Sequence, residues 1–264
     1  MGKSIKKDNV IKNKKESIKS LNNTFETFIN NPNDKYLKKA DLIAYWIKQY
    51  SKYLVNEESF DYSRIPRFKR GDILKVNFGF NIGSEQGGLH YAVVLDNDNK
   101  KSSPVVTVLP LSSGKQEDVY ERDVFLGNEL YEKLKIKHDN LKSEIDEELT
   151  ENLEAVNKIN IIISEVEGKE IEKTILDQLE DMLNDAKDKA SKMQKDVDTL
   201  AIYEKEINKL KIGSIALTGQ ITTISKMRIY QPKKKSDLLY DIKLSENAMN
   251  KINEQLKNLY IFSE

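Results

Sequence analysis

The sequence leaves few side chains able to do chemistry. It holds two histidines, His90 and His138, and no cysteine. That removes thiolate zinc sites, iron–sulfur clusters, cysteine nucleophiles and disulfides together, and two histidines do not make an imidazole cage for a metal. What remains is proton transfer by imidazole, hydrogen bonding by hydroxyls and charge stabilisation by lysine and arginine. An imidazole with a reference pKa of about 6.5 works as base or acid near neutral pH. His90 follows a glycine-rich loop, Gly79-Phe80-Asn81-Ile82-Gly83-Ser84-Glu85-Gln86-Gly87-Gly88. On residue type alone it reads equally as a packed or a surface histidine. The loop has no GK[ST] ending and no helical pattern behind it, which excludes a nucleotide P-loop. His138 falls within a long charged helical pattern and is given no site.

The elements that must hold these residues follow from periodicity. After Arg64-Ile65-Pro66-Arg67 the sequence turns to short β-branched runs separated by glycine and turn residues, which predicts strands over Ile73–Phe78, Tyr91–Asp96 and Val105–Leu111, with weaker signals at Tyr120–Leu126 and Ile215–Ile224. Asn97 and Asp98 read as turn residues. Before this block, residues 10–30 and 36–55 have helical spacing broken at Asn31-Pro32-Asn33-Asp34, and the sole tryptophan, Trp46, reads as a core anchor. From Glu129 to Val166, apolar residues including Leu134, Leu141, Ile145, Leu149, Val156, Ile159 and Ile163 recur at threes and fours. A second run from Ile171 through Ile175, Leu179, Met182, Ala186, Met193, Val197 and Leu200 to Leu210 does the same. These spacings predict an antiparallel coiled-coil hairpin with its tip at Glu167-Gly168-Lys169, each arm about 40 residues and about 60 Å long. Pairs such as Asp185/Lys189 make much of its charge a solvated helix face. A last amphipathic helix is predicted from Ser245 to about Leu259.

Composition sets the class. Charged residues are 33 % of the chain and hydrophobic ones 38 %, more surface per unit of core than usual. No apolar run approaches the roughly 18 residues of a membrane span and the first residues have no signal-peptide character, so the expectation is a cytoplasmic protein without a membrane partner. The formal net charge of zero is a cancellation: residues 1–70 carry 16 basic against 8 acidic side chains, residues 114–211 carry 16 against 26, and residues 212–264 carry 8 against 5. Segregation of this kind suits a polyanion-binding body with an acidic appendage, or elements that attract one another.

Arg70-Gly71-Asp72-Ile73, then Ile82-Gly83-Ser84-Glu85-Gln86-Gly87-Gly88, Ala92-Val93-Val94-Leu95-Asp96-Asn97-Asp98 and Ser103-Pro104-Val105-Val106-Thr107-Val108, resemble in order and spacing the MazF/PemK family of toxin endoribonucleases. Gly213-Ser214-Ile215-Ala216-Leu217, with Gln220-Ile221-Thr222-Thr223-Ile224 and Lys226, resembles the family's later strand pair. The resemblance covers about residues 69–113 and 212–262. It implies an α+β fold: an SH3-like β-barrel of MazF/PemK type with a C-terminal helix, interrupted by the long antiparallel helical hairpin. The expected organisation is an N-terminal helical extension over 1–63, a barrel from 64–128 with 212–264, and an inserted coiled-coil hairpin over 129–211.

The resemblance also implies metal-independent, cofactor-free cleavage of single-stranded RNA. The ribose 2′-hydroxyl attacks the adjacent phosphorus, so a base must take its proton, an acid must protonate the departing 5′ oxygen, and donors must meet the phosphoryl charge. His90 stands where the family has an arginine after the paired glycines, and Ser112 where it has a threonine. The implied roles are proton transfer for His90 and hydrogen bonding of the scissile phosphate for Ser112, with Ser113 beside it. Arg70, Glu85 and Gln86 are candidate RNA contacts, with Lys69 and the basic run Lys233-Lys234-Lys235 behind them. Gly219 and Thr222 replace an expected glutamate and arginine. The implied partners are single-stranded RNA, an antitoxin and a second copy in a homodimer. Two other classes compete with the nuclease: a non-catalytic interaction module of barrel and coiled coil, and a toxin that binds a topoisomerase.

Overall fold

The computed structural model describes residues 6–168, 172–210 and 213–261. Lys169 of the predicted tip and Ile171 at the start of the second arm lie outside them. The chain divides into two units, Met1–Asp61 with Asn77–Leu89, and Tyr62–Val76 with His90–Glu264. In the first unit, α1 (Lys7–Ile29) and α2 (Asp34–Asn56) meet near their connection, where the Phe28 and Tyr36 rings lie 5.5 Å apart. Asn33 caps α2 by accepting from the Lys35 amide at 3.1 Å. Trp46 packs on Tyr50 and Tyr53 of its own helix, and a Cβ on Gly79 would come within 2.6 Å of the indole, so only glycine fits beneath that ring. The neck of the glycine-rich loop is closed by Phe78 N–H to the Gly88 carbonyl at 2.8 Å and Gly88 N–H to the Gly79 carbonyl at 2.6 Å.

The second unit is built on antiparallel strands: β1 (Phe68–Lys69), β2 (Ile73–Asn77), β3 (Leu89–Val94), β4 (Asp98–Asn99), β5 (Val105–Ser113), β6 (Val124–Gly127), β7 (Ser214–Ala216), β8 (Thr222–Ser225) and β9 (Ile229–Gln231). β1 pairs with β4, and the main sheet runs β6-β7-β5-β3-β2-β9, with β8 also on β5. This is the α+β, barrel-type architecture that the resemblance implies. Asp98 is a strand residue rather than a turn residue, held in β4 by the Arg67 guanidinium at 2.5 and 2.6 Å. The run Ile215–Ile224 is two strands, not one. A short 3₁₀ turn at Thr218–Gln220 divides it, with the Thr218 hydroxyl bonded to the Arg122 carbonyl and the Arg122 guanidinium lying over Gly219.

Between β6 and β7 come α3 (Glu129–Val166) and α4 (Lys173–Ile207), and α5 (Glu246–Tyr260) closes the chain behind its cap Ser245. The base of the hairpin is part of the barrel core: Leu130, Leu134, Tyr203, Ile207 and Leu210 are buried with Ile73, Val93, Leu109 and Leu111 of the strands and Met249 and Ile252 of α5. Polar contacts fasten the same base. Glu129 accepts from the Ser245 backbone N–H and from its hydroxyl, the latter at 2.8 Å. Lys137 donates to the Tyr240 carbonyl at 2.7 Å, Tyr203 to the Ser236 carbonyl at 2.9 Å, and Lys75 inside the sheet pairs with Glu206. Further out, the seam between the arms runs through Leu141, Ile145, Asn152, Ala155, Ile159 and Ile162 of α3, while Leu149, Val156 and Ile163 lie outside it and are exposed. Among the described residues no helix is long and apolar enough to cross a membrane.

Burial separates two neighbouring positions on α3. Leu134 is fully buried and Ile136 is 61 % exposed. Leu134→Ala is expected to cost about 2–5 kcal/mol, read as a lower urea midpoint at unchanged slope, and Ile136→Ala no more than about 0.5 kcal/mol.

Candidate functional site

β3 and β5 carry the two residues on which the expected chemistry rests. Their antiparallel ladder pairs Val94 with Val108, Val93 with Leu109 and Ala92 with Pro110. Carried on by two residues, that register sets His90 across from Ser112. Strand alternation then places His90, Ala92 and Val94 on one face of β3, and Tyr91 and Val93 on the other, toward the core that contains the hairpin base. β5 is held on its far edge as well, with Leu111, Ser112 and Ser113 opposite Ala216, Ile215 and Ser214 of β7. Ser113 is exposed and Ser112 half-buried. The Ser112 hydroxyl has a long 3.5 Å contact to the Ser113 carbonyl, which leaves it able to turn toward a ligand.

The His90 ring is half-buried beside the Leu111 backbone carbonyl. Burial, which penalises the imidazolium, lowers its pKa below the usual histidine value, and the nearby carbonyl offsets this only in part. Burial therefore favours the uncharged ring. A neutral imidazole has one nitrogen with a lone pair and can accept a proton there. An imidazole set across from a hydroxyl is chemically able to move a proton beside an anion.

The other candidates lie elsewhere. The Arg70 guanidinium bonds to the Leu95 carbonyl at the end of β3 and to Asn253 of α5, tying strand to helix. Glu85 and Gln86 belong to the loop of the first unit. There Glu85 accepts from the Ile82 amide at 3.4 Å and Gln86 donates to the Gly87 carbonyl at 3.2 Å. Lys233, Lys234 and Lys235 are exposed, in a loop shaped by Asp237 accepting from the first two amides. So continuing the strand register sets His90 across from Ser112, while alternation turns Ser113 to the other face of β5, and Arg70 has structural partners.

Residues 69–186 match the family model of the PemK-like, MazF-like toxin of type II toxin–antitoxin systems. That stretch of the chain is similar to the toxin domain of this family. The match runs from β1 through α3 to Ala186 within α4, and the later strand block from Gly213 lies beyond it. No curated protein matches the chain. MazF-like toxins are generally endoribonucleases, and RNA and an antitoxin are the partner classes of that family in general.

The structure adds a polar group that the sequence reading missed. On the face of β3 opposite His90, the Tyr91 hydroxyl donates to Glu206 at 3.1 Å, and Glu206 also pairs with Lys75, which is 8 % exposed and lies 5.5 Å from the Tyr91 ring centre. Burial, with the Glu206 charge added, pushes the Tyr91 phenol far above its ordinary pKa and keeps it protonated. The signal was present in the sequence: Lys75 interrupts the apolar run Ile73-Leu74-Lys75-Val76, and a lysine inside a buried strand requires an acidic partner.

Two outcomes follow. With His138→Gln removing the second imidazole, the remaining ring resonance is expected to titrate below about 6.5 by proton NMR; a midpoint at or above that value contradicts the burial described. Arg70→Met is expected to lose about 1–3 kcal/mol in thermal or urea unfolding, because the Leu95 carbonyl and Asn253 lose a charged donor.

Proposed function

We propose that this protein is a metal-independent, sequence-selective endoribonuclease that cleaves single-stranded RNA in the cytoplasm, as the toxin of a toxin–antitoxin or defence pair. The observation that carries the reading is the half-buried His90 ring, set across from Ser112 by continuing the β3–β5 register. The free ring nitrogen takes the proton of a ribose 2′-hydroxyl. The 2′ oxygen then bonds to the adjacent phosphorus, and the bond from phosphorus to the 5′ oxygen breaks with a proton supplied by solvent. The products are a 2′,3′-cyclic phosphate and a free 5′-hydroxyl. Ser112 donates a hydrogen bond to a non-bridging oxygen as charge develops there. Where the family has an arginine this chain has an imidazole, so the position contributes proton transfer rather than a permanent positive charge.

The test is incubation with mixed-sequence single-stranded RNA in EDTA, reading cut positions and end groups. Cleavage ending in cyclic phosphate is expected to fall about 10²–10⁴-fold in His90→Ala and about 10²–10³-fold in Ser112→Ala. The wild-type rate should rise with pH through a midpoint below about 6.5, since the base form of a depressed imidazole predominates above its own pKa. Undiminished cleavage by His90→Ala would remove this mechanism. Binding of RNA without cleavage would instead support a barrel that acts as an interaction module.

A further inference from the structure

We propose that the hairpin is a self-association arm: one flank of it packs against the same flank of a second copy to make a four-helix bundle. The Lys192–Glu148 ion pair and the 3.5 Å contact from Asn152 Nδ2 to the Ala186 carbonyl fix the antiparallel register of the arms. That register sets Leu149 across from Ala190, Val156 across from Leu183 and Ile163 across from Leu176. In heptad terms these residues occupy the e positions of both helices, which share one side of an antiparallel pair, while a and d form the seam already buried between the arms. The side chains remain open to solvent: Leu149 is 43 % exposed, Val156 39 %, Ile163 50 %, Leu176 49 % and Leu183 45 %. The opposite flank, at the g positions, carries Glu144, Glu151, Lys158, Asp185 and Lys192. Apolar residues at a, d and e are the pattern of a bundle helix, whereas a free-standing two-stranded hairpin needs a and d alone.

The occupant follows from the width of the strip. A single helix lying over the seam would be reached by the e residues only. Leu153, 57 % exposed, sits one position further round at b and is covered only by a helix stacked squarely on α3. A square arrangement needs two helices opposite two, and a second copy of the hairpin supplies an identical strip related by a two-fold axis. The margins suit a like partner, because Asp146 on α3 and Lys173, Glu180 and Lys187 on α4 balance in sign and raise no single-sign field. The half-exposed side chains of two copies would remove on the order of 1,000 Å² from water, the scale at which a specific association becomes stable.

Because the chain has no cysteine, one introduced thiol per chain reports contact without interference. The full-length Val156→Cys protein, on the strip, and Lys158→Cys, on the charged flank, are each treated with a bismaleimide that reaches about one helix diameter. Covalent dimers are expected from Val156→Cys and not from Lys158→Cys, and adding Leu183→Glu to Val156→Cys should reduce their yield about tenfold with helical circular dichroism unchanged. Association through the barrel alone would leave both thiols unlinked. Absent or equal cross-linking from the two positions, or cross-linking indifferent to Leu183→Glu, overturns the proposal, and an unlinked strip would then belong to a helix of another protein.

Discussion

The hydrogen bonding of β5 along both of its edges is the constraint on which the rest of the second unit depends. One edge takes β3, and the other takes β8 and then β7, so a single nine-residue strand joins segments from residue 89 to residue 225. Pro110 sits at the changeover. It has no N–H to give, but its carbonyl accepts from the Leu217 amide at 3.0 Å and so is satisfied at the changeover. Beyond that point β5 is held only by β7 on its far edge, and its last residues, Ser112 and Ser113, emerge half-open, with Ser112 across from His90.

The helical insertion is energetically part of the barrel and geometrically a projection from it. Its first turns contribute Leu130 and Leu134 to the core, and its last turns contribute Tyr203, Ile207 and the carboxylate of Glu206. The Lys75–Glu206 pair is shielded from water, so neither charge can be left without the other; breaking such a pair costs several kcal/mol even where the intact pair adds little. Tyr91, which also bonds Glu206, is the residue next to His90 on β3. The strand that presents the imidazole on one face is thus clamped by the hairpin on the other.

How much of this was legible in the sequence depended on how local the cause was. Most strands and helices announced by alternation or by a capping residue, such as Ser245 before α5, were readable within two or three residues, while the strand expected over Tyr120–Leu126 begins only at Val124. The division of Ile215–Ile224 was not, because its cause is Arg122, a residue nearly a hundred positions away. The hairpin itself was legible, but not its seam. Spacings of three and four fit two overlapping heptads on α3, and choosing between Ile145 and Leu149 requires knowing which residues of α4 lie opposite. The site divides in the same way. Family resemblance singled out His90 and Ser112, but their facing positions are a property of strand pairing, and the partners of Arg70 are long-range. Glu206 looked like one more solvated acid in a charged arm.

The heptad seam gives the arm a length that can change only in steps. Seven residues added to or removed from each helix return every side chain to its former side, so such a change alters the reach of the arm by about 10 Å while preserving the seam and the strip. Changes of any other size rotate the far part against the near part. Since the core contacts end within the first and last turns of the arm, the barrel is indifferent to how many steps follow. Related chains would then be free to differ in reach by whole double turns while keeping the same body.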